Sequence, residues 1–191
     1  MVSRIEAPQP LAQTGTAPDV ARLRSFYALR ALVAAGWIAL ALTFGRTLPV
    51  AAAVLLVAYP AWDAIANLID ARASGGLSRN RTQAINLAMS VGTAAAVAIM
   101  IGNMNAVLGI FGAWAIVSGL MQLATGVRRW KSYGAQWAMV LSGGQSALAG
   151  GHFIVRALGT AVPGIVDIVP YAAFGAFYFL VSALWLAFRR R

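Results

Sequence analysis

Six apolar runs of about 20 residues follow one another along the chain, at roughly 27–45, 48–70, 83–102, 105–126, 135–155 and 165–188. As a helix rising about 1.5 Å per residue, each is roughly 30 Å long, the thickness of the hydrocarbon core of a bilayer. No water-soluble domain of this size could enclose six such segments. Over 191 residues, 60% are hydrophobic and only 10% charged, and the mean hydropathy is +0.74, which leaves too little polar surface for a soluble fold. The pattern predicts an all-α integral membrane protein, a six-transmembrane-helix bundle of three helical hairpins, with the lipid bilayer as its main partner.

The charges punctuate these runs. Lysine and arginine number 15 against five acids, a formal +10. Arg4, Arg22, Arg24 and Arg30 precede the first run, Arg72, Arg79 and Arg81 follow the second, Arg128, Arg129 and Lys131 follow the fourth, and Arg189, Arg190 and Arg191 close the chain. Only Arg46 and Arg156 lie in the alternate connections, so 13 of 15 basic residues share one side. The positive-inside rule then puts both termini in the cytoplasm of a multi-pass protein. This distribution explains the basic balance without nucleic acid, for which no basic stretch carries a recognition motif. With no cysteine and one histidine, disulfides, thiolate chemistry and histidine-rich metal sites are excluded.

Residues 1–25 are polar and contain Pro8, Pro10 and Pro18, so they are expected to form a flexible cytoplasmic tail ahead of a transmembrane domain at 26–191. Arg30 and the apolar stretch to Phe44 have the look of a signal peptide ending at "ALA" (39–41), but the polar segment before it is too long for one. "DVARLRSFYALR" (19–30) places Leu23, Phe26, Tyr27 and Arg30 on one side. It reads either as an interfacial helix or as the first turns of the first span.

A shift of 55 residues lays Tyr59, Asp63 and Asn67 on Trp114, Ser118 and Gln122, and a further 64 reaches Tyr178, Ser182 and Leu186. Leu87, Ala88 and Met89 similarly match Trp137, Ala138 and Met139. An internal threefold repeat of hairpins is one reading; chance matching in alanine-rich helices is the other. Small residues also recur, Gly112, Gly119 and Gly126 every seven positions and Gly143, Ala147 and Gly151 every four. Lipid gives helices no hydrophobic drive to associate, so such stripes are expected at close contacts, within the bundle or in a homo-oligomer through Gly/Ala helix faces. Pro60 is expected to kink the second helix.

The most polar intramembrane stretch is "YPAWDAIANLIDARASGGLSRNRTQAIN" (59–86). Asp63, Asn67 and Asp70 stand at i, i+4 and i+7, on one helix face with Tyr59, and Gln83, Asn86 and Ser90 do the same on the next helix. Asp63 lies about 10 Å deeper than Asp70. Gly75 and Gly76 should end one helix, and Asn80 or Thr82 should cap the other, so the two polar faces can meet. An ionised aspartate facing lipid costs roughly 2.5–3.5 kcal/mol at a helix centre. Asp63 is therefore expected to face inward to amides or an arginine, with Arg72, Arg79 or Arg81 available to Asp70. The cluster is either a folding clasp or a proton or solute site.

Ser118, Gln122, Thr125, Gln145 and Ser146 could extend this interior. His152, Arg156 and Asp167 are expected near the opposite face, with His152 and Asp167 as candidate pH-sensitive groups. Trp130, Tyr133 and Tyr171 fit interfacial anchors. No nucleophile and base pair, phosphate loop or cofactor motif is present, so the residues point to a non-enzymatic protein without a cofactor.

Through "WAIVSG" (114–119), "WAMVLSGG" (137–144) and the 59–86 stretch, residues 27–188 resemble the HdeD-like family, bacterial inner-membrane proteins built from short repeated hairpins. The resemblance implies a place in the inner membrane and a role in acid resistance or envelope stress response. It carries over no functional residue. The other expectation is a small transporter or channel for protons or a small solute of unknown identity, using the Asp63 face.

Overall fold

The computed structural model describes residues 17–128 and 136–188. Six helices follow in order: α1 (Ala17–Leu40), prolonged by a π-helical turn (Ala41–Gly45), α2 (Pro49–Ala73), α3 (Arg81–Met100), α4 (Met104–Arg128), α5 (Gln136–Ala157), and α6 (Val169–Phe188), which is entered through a 3-10 turn (Ile165–Ile168). Among the described residues there is no strand. Five segments, Val20–Gly45, Pro49–Ala73, Arg81–Met100, Met104–Ala124 and Ile165–Phe188, are long and apolar enough to cross a membrane. The remaining helix, α5, carries Ser142, Gln145, Ser146, His152 and Arg156 among its apolar residues.

Among the described residues α1 starts at Ala17, so residues 17–25, expected in the tail, are helical. Pro18 sits in the first turn, where its missing N–H has no intrahelical partner to lose. "DVARLRSFYALR" accordingly forms the first turns of α1 and not a separate interfacial helix.

The closest-packed pairs are α4 with α5, α2 with α3, and α1 with α6, whereas α1–α2 and α5–α6 touch much less. Neighbours in sequence joined at the far end of the bundle are therefore not its tightest partners. The α4–α5 seam shows why. A Cβ on Gly119 would lie 2.6 Å from the Gly143 carbonyl oxygen, and one on Gly150 would lie 2.5 Å from the Gly112 carbonyl oxygen. Only glycine lets the two backbones approach so closely, and the close approach supplies the dispersion contacts that hold helices together in lipid. The expected Gly143, Ala147, Gly151 stripe is corrected to Gly143, Ala147, Gly150, because Gly151 faces open space. Steps of four and three keep a stripe on one face of a 3.6-residue helix better than two steps of four. Gly112, Gly119, Gly143 and Gly150 are filled within the chain; the side chain at 126 lies outside the described residues.

Helix α2 continues through Pro60, which is buried. The Leu56 carbonyl loses its usual N–H donor there. Beside it the indole N–H of Trp37 donates to the Leu55 carbonyl at 2.8 Å, tying α1 to this weakened part of the backbone. After Ala73 the chain reverses through Gly75 and Gly76, whose φ values of 96° and 92° favour glycine. The Gly76 N–H donates to the Ala71 carbonyl at 2.8 Å and closes the helix end. Asn80 stands at the α3 N-cap but makes no side-chain cap; its amide donates to the Ser74 and Gly76 carbonyls, both at 2.8 Å. Asn80 thus pins the turn.

Away from the α2–α3 turn the core is apolar: Leu56, Val97, Val107, Leu108, Phe111 and Ile168 are fully buried. The outward faces carry large apolar side chains, among them Val50, Ile99 and Leu148, each more than three-quarters exposed. Such a surface is matched by lipid tails and not by water.

Candidate functional site

Asp63 is the hub of the polar interior. Its Oδ1 accepts from Arg30 Nη2 of α1 at 2.5 Å, and its Oδ2 accepts from Asn67 Nδ2 at 2.9 Å and from Ser90 Oγ of α3 at 2.8 Å. Asn67 Nδ2 also reaches the Asp63 carbonyl at 2.8 Å. Ser90, which is fully buried, accepts in turn from the Trp114 indole N–H of α4 at 3.2 Å. The Arg30 and Asp63 side chains are 18% and 21% exposed. In so shielded a place an ion pair with further hydrogen bonds on the carboxylate is what makes a charge tolerable.

Two rungs join α2 to α3, Ser90 to Asp63 and, nearer the turn, Gln83 Nε2 to Asp70 Oδ2 at 3.1 Å. Asp70 is thus held by an amide; among the described residues Arg72, Arg79 and Arg81 form no ion pair with it. The arginine that matters for this cluster is Arg30. Its guanidinium also lies 4.1 Å from the centroid of the Phe179 ring on α6, so one side chain links α1, α2 and α6. Two buried polar atoms have no partner among the described residues, Arg30 Nε and Asn86 Oδ1.

These groups line a cavity of about 970 Å³ to which all six helices contribute. It reaches from Ser74 and Asn80 in the α2–α3 turn, past Asp70, Gln83, Asn86, Asn67 and Asp63, to Trp37, Tyr59, Trp114 and Tyr171. Ser90 stands behind this wall. Ser118, Gln122, Gln145 and Ser146 line the opposite wall, as does Tyr178 of α6; the Thr125 side chain lies outside the described residues.

At the deep end three rings converge. Tyr59 of α2, Trp114 of α4 and Tyr171 of α6 have centroid separations of 6.0, 6.3 and 6.3 Å, close to an equilateral triangle. Each ring has a partner on the preceding helix. Trp37 of α1 packs 4.9 Å from Tyr59, Ser90 of α3 bonds Trp114, and Ser146 of α5 lies 3.1 Å from the Tyr171 hydroxyl. Ser146 also donates to the Ala115 carbonyl at 3.0 Å. Tyr171 is therefore an interior residue and not an interfacial anchor: its hydroxyl has an internal partner and its ring packs on Phe153 as well. Beyond the triangle lies the dry core.

At the other end Arg156 Nε pairs with Asp167 Oδ1 at 3.3 Å, and Asp167 Oδ2 accepts from the Gly164 N–H at 2.7 Å. Asp167 thereby closes the turn into α6. His152 is exposed, packs on Phe153 and makes no bond to Asp167, so the expected three-residue cluster reduces to the Arg156–Asp167 pair. Trp130 and Tyr133, Lys131, the Trp137, Ala138 and Met139 side chains, and Arg189–Arg191 lie outside the described residues.

Among the described residues no three His, Cys, Asp or Glu side chains converge as metal ligands would. No known protein family, curated protein or solved structure matches the chain. The geometry of the cavity is what bears on function.

Proposed function

We propose that this chain is a non-enzymatic, multi-pass protein of a bacterial inner membrane that admits a small solute into the Asp63 cavity, as a small transporter does. The observation that supports this reading most is the shape of the interior: a cavity of mixed polar and aromatic lining that reaches the α2–α3 turn, with a part-buried ion pair in its wall and aromatic rings over an apolar core at its deep end. Ligand sites of small molecules fall in the range of about 300–1,000 Å³ and are mostly apolar with a few placed polar groups. A structural clasp alone needs no cavity beside it. The positive-inside pattern supports cytoplasmic termini and a cytoplasmic mouth.

The stress-tolerance role implied by the HdeD-like resemblance is the second reading. It is favoured by the ring triangle, which supports a repeat of hairpins α1–α2, α3–α4 and α5–α6, each giving one ring and one partner to the centre. The spacing from Trp114 to Tyr171 is 57 residues, close to the 55 between Tyr59 and Trp114, and so replaces the shift of 64 that led to Tyr178. Uptake of a solute panel into proteoliposomes, wild type beside Asp63→Asn, tests the transport reading. Saturable uptake lost in a folded Asp63→Asn variant supports it. No uptake of any solute by the wild type, with only a stability defect in the variant, leaves Asp63 as a clasp.

A further inference from the structure

The chemistry of the cavity wall goes further than its shape. Ten of its lining side chains are aromatic, and its ionisable groups other than tyrosine are Arg30, Asp63 and Asp70. Arg30 and Asp63 neutralise one another. What the wall offers a guest is therefore one carboxylate, Asp70, and many aromatic rings, a class of side chain whose faces carry a negative quadrupole that attracts cations.

The protein already shows how such a wall holds positive charge. The Arg30 guanidinium sits between the Asp63 carboxylate and the Phe179 ring, 4.1 Å from its centroid. About 10 Å nearer the mouth, two turns along α2, Asp70 repeats the first half of this arrangement. It is oriented by Gln83 and pairs with no cation among the described residues. Tyr27 of α1, Trp62 of α2 and Tyr178 of α6 line the same cavity. On the α3 wall, one turn below Gln83, Asn86 carries the unpartnered acceptor Oδ1. Exposed arginines at the mouth, Arg72, Arg79 and Arg81, are open to counterions and are screened within about 8 Å at physiological salt, whereas Asp70 acts inside the cavity.

We infer that the ligand of the cavity is a monovalent organic cation with substantial apolar bulk, its charge held by Asp70 and its apolar part laid against the rings of α1, α2 and α6. This rests on the reading of the cavity as a solute site and names the class of solute. An organic anion would meet an unneutralised carboxylate and ring faces of the wrong sign, and a neutral solute would gain nothing from Asp70.

Tetraphenylphosphonium and tetraphenylborate are nearly the same size and shape and differ in the sign of their charge, so together they isolate the electrostatic part. Equilibrium dialysis of each against the purified full chain in uncharged detergent, with empty micelles as the blank, gives their affinities. The proposal expects saturable binding of the cation at least ten-fold tighter than the anion. Asp70→Asn should weaken the cation about ten-fold, or about 1.4 kcal/mol, and leave the anion unchanged or tighter. Anion binding equal to or tighter than cation binding overturns the proposal, as does a cation affinity that Asp70→Asn leaves unchanged, or no binding of either ion. Uptake of an uncharged or anionic solute that depends on Asp63, without cation binding, would keep the transport reading while removing this one.

Discussion

Arg30 and Asp63, 33 positions apart in sequence and on different helices, form the part-buried ion pair around which the polar interior is organised. Ahead of its π-helical turn α1 touches α2 little elsewhere, so this pair, with the Trp37 indole, is a principal link between the α1–α6 and α2–α3 pairs of the bundle. Removing one member of a shielded pair is costlier than removing both, because it strands a charge.

Asp63→Asn is accordingly expected to destabilise the protein by about 3 kcal/mol, while the double change Arg30→Met with Asp63→Leu recovers most of that loss. Thermal unfolding in detergent, followed by size-exclusion chromatography of the surviving fraction, measures both. A single variant as stable as wild type would mean that Arg30 swings to water without penalty.

The α4–α5 seam separates two glycines that look alike in sequence. Gly119→Ala places a Cβ 2.6 Å from the Gly143 carbonyl oxygen and is expected to cost about 1–3 kcal/mol through overpacking. At Gly151, where nothing lies within 4 Å, alanine should be neutral or slightly stabilising through its better helix propensity. The same thermal assay compares the two.

In the α2–α3 turn Asn80→Ala removes two hydrogen bonds to backbone carbonyls and should cost about 1–2 kcal/mol. Thr82→Ala should change little, since Thr82 makes no cap. Limited proteolysis is a local readout: cleavage between residues 74 and 80 should quicken in the first variant only.

Much of this arrangement could be read before any coordinates. Asp63, Asn67 and Asp70 share a face because 0, 4 and 7 is a helical stripe, and a turn of seven residues leaves α3 little choice but to fold back on α2. The six apolar runs likewise correspond to six helices, five of them apolar enough to span. Pairings between distant helices were the hidden part. Arg30 reads in sequence as a topology charge, although an arginine with thirteen residues of helix before it and an apolar run after it needs an internal partner, and that is the available signal. Tyr171 looks interfacial because it stands near the start of the 165–188 run, but the 3-10 turn at Ile165–Ile168 lies ahead of it and carries Tyr171 inside. Gly150 and Gly151 are neighbours in sequence, and only the rotation of α5 against α4 tells them apart.

The chain has no cysteine, so single cysteines can report directly on whether the interior is a cavity entered from one end and closed by the ring triangle. In the full chain in proteoliposomes, Ser118→Cys and Ser182→Cys, on the cavity wall, should react rapidly with a charged, water-soluble thiosulfonate applied to the face that carries the α2–α3 turn. Leu56→Cys and Leu108→Cys, in the dry core, should stay unmodified from either face. Rapid labelling of the Leu56 and Leu108 positions, or protection of the Ser118 and Ser182 positions as complete as theirs, would contradict the account.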